Sequence, residues 1–298
     1  MTNQLLHIYL HFGHTTLEGG QDSWLKDIFI SGFGAFLGVV GALAIYYWQI
    51  RRTQNDTLKY IVSLIESIVH YSKTQSEYCG RLIQNFNDDP AKLHLLHFQA
   101  NYDLKRLADK VDQESFYHAY LTKYKRKKES YLSFKRIYSQ VDFIDQTLDQ
   151  LKDFLEKENL SITEKKKAFV NYFEEGEEKV ALLTVNTKYQ QEKALLDFLN
   201  LKLVEYHQTA PNNTDLHHPY KEFVEPVLNF LVENYPTDDE CNKIAVLLRK
   251  SAAKYQVVIQ QGTELAETLQ EYQQALNVHA IELEVETEQL RRNYKVIS

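Results

Sequence analysis

From Ile28 to Ile50 the chain holds 23 consecutive residues without a charge, IFISGFGAFLGVVGALAIYYWQI. As a helix they span ~34 Å, enough for the ~30 Å hydrocarbon core of a bilayer. Past Arg51 the pattern changes to apolar positions three and four apart. Leu58, Ile61, Ile65 and Ile68 predict that the helix continues to Asn87–Pro90, where Asp89 can cap and Pro90 can start the next helix. A second helix is expected over about 91–110, with Leu93, Leu96, Ala100, Leu104 and Leu107 on one face. A third is expected over 112–158, where Phe134, Ile137, Val141, Ile144, Leu148, Leu151 and Leu155 form a heptad seam. Ser161 and Glu164 frame a capping box, which predicts a fourth helix to about residue 208, bent or split at Gly176.

Residues 209–219 read as a loop, and a short helix over 220–235 is expected to kink at Pro226. Thr237 and Glu240 frame a second capping box. It opens a last helix, 238 to about 295, whose apolar residues keep one heptad phase from Cys241 to Leu290. No segment alternates like a strand. The expected fold is all-α: one N-terminal transmembrane helix continuing into an elongated antiparallel bundle of long helices with coiled-coil-like seams. Its parts are a short extracytoplasmic tail (1–23), the transmembrane helix (24–50) and a cytoplasmic helical domain (51–298).

Composition sharpens this picture. Seven of the ten glycines precede residue 50, and only Gly80, Gly176 and Gly262 follow it. Few turn residues mean long elements. The formal charge of −7 does not suggest a nucleic-acid binder. Cys79 and Cys241 form no CxxC pair; they read as free thiols of a reducing compartment, the alternative being one disulfide in an oxidising one.

The flanks of the apolar segment set its expected orientation. Glu18, Asp22, Lys26 and Asp27 precede it; Arg51, Arg52 and Lys59 follow it. Positive charge stays inside, which puts the N-terminus outside the inner (cytoplasmic) membrane and the body in the cytoplasm. Trp24 and Trp48 serve as interface anchors beside Arg51 and Arg52. Two alternatives stand against this reading. One is a buried core helix of a soluble protein. The other is a signal peptide cleaved after Ala44, opposed by the acidic start, the apolar run beyond Ala44 and the Arg pair. Within the segment, Ser31, Gly34, Gly38, Gly41 and Ala42 form a strip of small residues that admits close approach of another helix, and so a homo-oligomer.

The search for chemistry returns mostly negatives. The chain has no GxxxxGK[ST], GxSxG, HExxH or CxxC motif and no Glu-x-x-His pair. No Arg has a His four to six residues later, as helical RNases of the HEPN type require. No enzyme activity and no cofactor are expected. His7, His11 and His14, the pair His94 and His97, and His217 beside His218 read as ordinary histidines rather than metal ligands. Lys123, Lys125, Arg126, Lys127 and Lys128 form one dense basic run, read as a solvated helix face or as a contact for anionic lipid heads or RNA backbone. Glu174, Glu175, Glu177 and Glu178 form an acidic counterpart.

In outline, the acidic tail, Gly34-x-x-x-Gly38, Arg51–Arg52 and the helical body resemble single-pass helical membrane effectors of bacterial antiphage systems. These include the pore-forming accessory proteins of CRISPR systems and abortive-infection membrane proteins. The resemblance implies membrane depolarisation during infection by an oligomeric effector, with the lipid bilayer and a cytosolic protein or ribonucleoprotein as partners. The other function class is a membrane-tethered scaffold or sensor that recruits a cytosolic partner through its long helices.

Overall fold

A computed structural model describes residues 23–91, 94, 96, 98, 102–110, 113–123, 127–209 and 215–294, the side chains of 23–25, 108–110, 115, 121–123, 127, 128, 130, 293 and 294 excepted. Every regular element among the described residues is helical. In chain order they are α1 (Ser23–Asp88), α2 (Tyr102–Lys110), α3 (Gln113–Lys123), α4 (Lys127–Thr184), a 3-10 turn (Thr187–Tyr189), α5 (Lys193–Thr209), α6 (His217–Pro219), a π-helical turn (Tyr220–Val224), α7 (Glu225–Asn234) and α8 (Asp239–Tyr294). The chain divides into two compact units, Met1–Thr57 and Leu58–Ser298.

The described part of the first unit is the first half of α1. Every residue from Lys26 to Gln49 is exposed.

The second unit is organised by α8. It runs antiparallel to the second half of α1: Glu66 pairs with Arg291, Lys73 Nζ lies 2.8 Å from Glu284, and Ser76 Oγ donates to the Gln273 carbonyl (3.1 Å). It runs antiparallel to α4 as well. Ser133 donates to Glu286 (2.6 Å), the His279 ring to Gln140 Oε1 (2.6 Å), Gln261 to Glu158 (2.6 Å) and Ser251 to the Phe169 carbonyl (3.4 Å). Since both partners oppose α8, this part of α1 and α4 run parallel and begin at the same end of the unit.

Seven-residue spacing governs what is buried. On α4 the series Val141, Leu148, Leu155, Ile162, Phe169, Gly176, Leu183 is buried throughout. On α8 the series Cys241, Leu248, Tyr255, Gly262, Leu269, Leu276, Leu283, Leu290 is buried as well. Two apolar cores result. One joins α1, α2, α3, the first part of α4 and the last part of α8; the other joins the last part of α4, α5 to α7 and the first part of α8. Fully burying one such side chain stabilises by about 1.5–3 kcal/mol.

Several expected boundaries are corrected. His94, Leu96 and Phe98 are not helical, so the second helix begins at Tyr102 and not at 91. Pro90 does not start it: Asp89 Oδ1 accepts from the Ala91 N–H (3.1 Å) and closes a turn there. The helix expected over 112–158 folds back on itself. The rings of Phe116 and Tyr138 lie 6.0 Å apart, whereas 22 residues of unbroken helix would separate them by ~33 Å. The like charges between Lys123 and Lys128 disfavour an unbroken helix at that point.

The Ser161 box caps nothing, because α4 runs through it and Ser161 Oγ accepts from Gln261 (3.0 Å). Gly176 does not split α4, which is continuous there; a Cβ at this position would meet Leu248 at 2.8 Å, so the glycine permits close approach of α8. The N-cap of α8 is Asp238 rather than Thr237, its Oδ1 accepting from Glu240 N (3.0 Å) and Cys241 N (2.9 Å). The expected loop is shorter, since helix resumes at His217. Before Pro226, which has no N–H for the carbonyl four residues back, the helix widens, and the Glu225 N–H bonds Tyr220.

Candidate functional site

The first candidate is the exposed half of α1. It is the one described helix long and apolar enough to cross a membrane; its most apolar window has a mean hydropathy of 2.3, and none of that window is buried. Ser31, Gly34, Gly38 and Ala42 lie three and four residues apart and so share one face, with Gly41 beside it. A Cβ built on Gly34, Gly38 or Gly41 would meet nothing within 4 Å. Among the described residues, therefore, nothing packs closely enough on these positions to require glycine.

At the end of this stretch Trp48 is exposed, and the Arg52 guanidinium lies 5.6 Å from its ring centroid. Arg52 also approaches Asp56 at 4.0 Å, but both groups are about two-thirds exposed and such a pair contributes little. Arg51 is exposed. Trp24 is helical in its backbone; its side chain lies outside the described residues.

The side chains of Lys123, Lys125, Arg126, Lys127 and Lys128 also lie outside the described residues. The backbone nevertheless brackets the run, since α3 ends at Lys123 and α4 begins at Lys127. Glu174, Glu175, Glu177 and Glu178 sit on the same α4, some 47 residues on. That is ~70 Å along the helix, so the two patches do not meet within one chain. Glu177 pairs with His207 on α5 at 2.8 Å. Burial raises the Glu177 pKa, and the His207 charge and hydrogen bond oppose that rise.

The histidines serve local packing. His94 Nε2 lies 2.8 Å from the Asp89 carbonyl, His217 Nδ1 2.6 Å from the Tyr255 hydroxyl, and His218 Nε2 3.3 Å from Thr209 Oγ1. Among the described residues no group of three or more His, Cys, Asp or Glu is placed to hold a metal ion. His7, His11, His14 and His97 lie outside them.

Sequence reasoning missed the buried polar groups. Glu286 is buried in the α4–α8 seam and takes hydrogen bonds from Ser133 (2.6 Å) and Arg136 (3.2 Å). Lys166 is 8% exposed; burial pulls its ammonium down to about 8, with the Asp89 charge opposing. Asp238 accepts from the Tyr189 hydroxyl (2.7 Å) and Lys188 Nζ (3.2 Å) as well as from the α8 backbone. Burial pushes its pKa up, but those hydrogen bonds win and hold the carboxyl well below the usual carboxylate range. One signal was available for Glu286: it continues the α8 heptad row Ile244, Ser251, Val258, Leu265, Tyr272, His279, where an apolar residue is the default.

Cys79 and Cys241 are free and buried, and burial pushes each thiol up to about 12. A cleft of about 460 Å³ lies between Tyr71, Leu96, Phe98, Leu104 and the α4 residues from Asp145 to Asn159. Burial and the charges of Asp149 and Asp142 raise the Asp145 pKa there.

No protein family, curated protein or solved structure matches the chain.

Proposed function

We propose that this chain is a single-pass protein of the inner (cytoplasmic) membrane, N-terminus outside and helical body in the cytoplasm. In this reading it oligomerises through Ser31, Gly34, Gly38, Gly41 and Ala42 and acts as a pore-forming or membrane-perturbing effector of bacterial antiphage defence. The observation that carries the reading is the stretch 28–50 of α1, apolar, without charge and uncovered by any described residue. In water that exposure is strongly unfavourable, at ~25 cal/mol per Å² of apolar surface; in lipid it costs nothing. The uncovered glycines support helix association, because small residues let backbones approach where lipid gives no hydrophobic drive. The Arg51–Arg52 pair against Glu18, Asp22 and Asp27 supports the orientation. The finer architecture of this proposal is an elongated antiparallel bundle with coiled-coil seams, supported by the seven-residue rows on α4 and α8.

The test is membrane potential in cells expressing wild type, Gly34→Leu or Gly38→Leu. The effector reading expects depolarisation by wild type that both substitutions reduce. Unchanged potential with wild type, with and without phage, contradicts it.

A tethered scaffold is the second reading, favoured by exposed Val278, Ile281 and Val285, which share one outer face of α8. Mass in detergent separates the two: a strict monomer removes the oligomer and leaves the tether.

A further inference from the structure

The cleft of about 460 Å³ in the second unit has two kinds of wall. One is apolar: Tyr71 of α1, Leu96 and Phe98 of the segment before α2, Leu104 of α2, and Leu148 and Leu155 of α4. The other is a polar strip of α4 beside that leucine row, carrying Asp145, Asp149, Lys152 and Glu156. All of these residues belong to one compact unit, and the volume suits a small organic molecule.

Each wall carries groups whose bonding is incomplete. On the apolar side, the Tyr71 hydroxyl oxygen is buried and has no hydrogen-bond partner among the described residues. Buried hydroxyls normally have one, and going without it costs free energy. On the polar side, no ion pair or hydrogen bond among the described residues reaches Asp145 or Asp149. Lys152, the one cation of the strip, lies 4.0 Å from Glu156. Asp142, Asp145 and Asp149 follow one another at three and four residues, so three carboxylates share a face about 5–6 Å apart. Burial, and then the charges of Asp149 and Asp142, raise the Asp145 pKa.

The missing element is positive charge spaced along an apolar chain. An anion is opposed by the excess of carboxylates. A bare divalent ion would answer the acids but leave the apolar wall and the Tyr71 hydroxyl unused. A neutral hydrocarbon would fill the wall and leave the acids unanswered. A linear polyamine meets every demand. Its methylenes would lie on Leu148, Leu155 and the rings, and its ammonium groups would donate to the carboxylates and to the Tyr71 oxygen. Spacers of three and four carbons hold successive ammonium groups at about the separation of side chains one helical turn apart. The faces of Tyr71 and Phe98 add attraction for the cation.

We propose that the cleft between Tyr71, Phe98 and the Asp145–Asp149 strip of α4 binds a linear polyamine. The site lies wholly in the second unit, so it goes beyond the membrane reading and is tested separately from it.

The test is isothermal titration of the full chain, in non-ionic detergent, with spermidine. Saturable binding to wild type is expected. Asp145→Asn plus Asp149→Asn is expected to weaken it about tenfold; both side chains are exposed, so the fold is kept, and circular dichroism checks this. Tyr71→Phe, which keeps the ring and removes only the oxygen, is expected to weaken it about threefold. Glu175→Gln plus Glu178→Gln makes the same change of net charge on a remote part of α4 and is expected to leave the affinity unchanged. Equimolar Mg²⁺ is expected not to displace spermidine. Absence of saturable binding to wild type overturns the proposal. So does unchanged affinity in the Asp145 and Asp149 double variant or in Tyr71→Phe. An equal loss in the Glu175 and Glu178 variant, or displacement by equimolar Mg²⁺, overturns it in favour of attraction by charge alone.

Discussion

Two stretches of one helix, residues 26–49 and 58–86 of α1, are both rich in large apolar residues, yet they differ in every measure of burial. In the first, Phe29, Phe36, Leu37, Val40 and Ile45 are all exposed. In the second, Leu58, Ile61, Ile65 and Ile68 are fully buried beneath other helices, and the exposed side carries Lys59, Ser63 and His70. A striped helix points to a protein partner; a helix apolar around its whole circumference, uncovered by any described residue, is the feature on which the proposed membrane reading rests. The glycines repeat the contrast. Gly34 and Gly38 face open space, whereas Gly176 and Gly262 are held against Leu248 and Pro90.

Substitutions can sharpen or break this comparison. The largest effect is expected in the body's core, where Phe169→Ala should destabilise by about 3–5 kcal/mol in denaturant titration, while Phe36→Ala leaves that transition in place. Val39→Arg should cost about 2.5–3.5 kcal/mol of membrane insertion and move chain into the soluble fraction, with body helicity by circular dichroism unchanged. Gly262→Ala places a Cβ 2.8 Å from the Pro90 carbonyl and should cost about 1–3 kcal/mol, whereas Gly38→Ala should cost the body nothing.

Asp238→Ala should cost about 0.5–2 kcal/mol by removing the α8 cap. Because the folded carboxyl is held below its unfolded value of ~3.9, the stability it supplies is present above that pH and lost as pH falls below it; the variant should show a flatter acid limb. At the alkaline end the sign reverses. Cys79 and Cys241 keep their protons to about 12 when folded but release them near the ordinary value of 9 when unfolded. Stability should therefore fall as pH rises above about 9, less steeply in Cys79→Ala.

What the sequence made legible follows from how many physical rules agreed at each place. The apolar segment, the helical class and the bounds of α8 each rested on a long pattern and were read directly. The Ser161 box failed because a local motif competed with a longer one: Leu155, Ile162 and Phe169 keep the heptad phase through it, and packing along α8 outweighs a cap worth about 1 kcal/mol. Residues 91–101 look periodic, but Asp89 closes a turn and Pro90 abuts Gly262, a contact made 172 residues away in sequence and invisible locally. The α3–α4 reversal carries no Gly or Pro, so no turn signal marked it. Glu286 and Lys166 were missed because single polar residues within apolar rows look like noise until their partners are known.

The central claim is that residues 28–50 sit permanently in a bilayer. Fractionation of cells expressing the intact chain, with salt-washed membranes extracted with and without detergent, tests it most directly. The account predicts full-length chain in the membrane pellet, released only by detergent. Full-length chain in the soluble fraction, or a mature product that begins after Ala44, would contradict it.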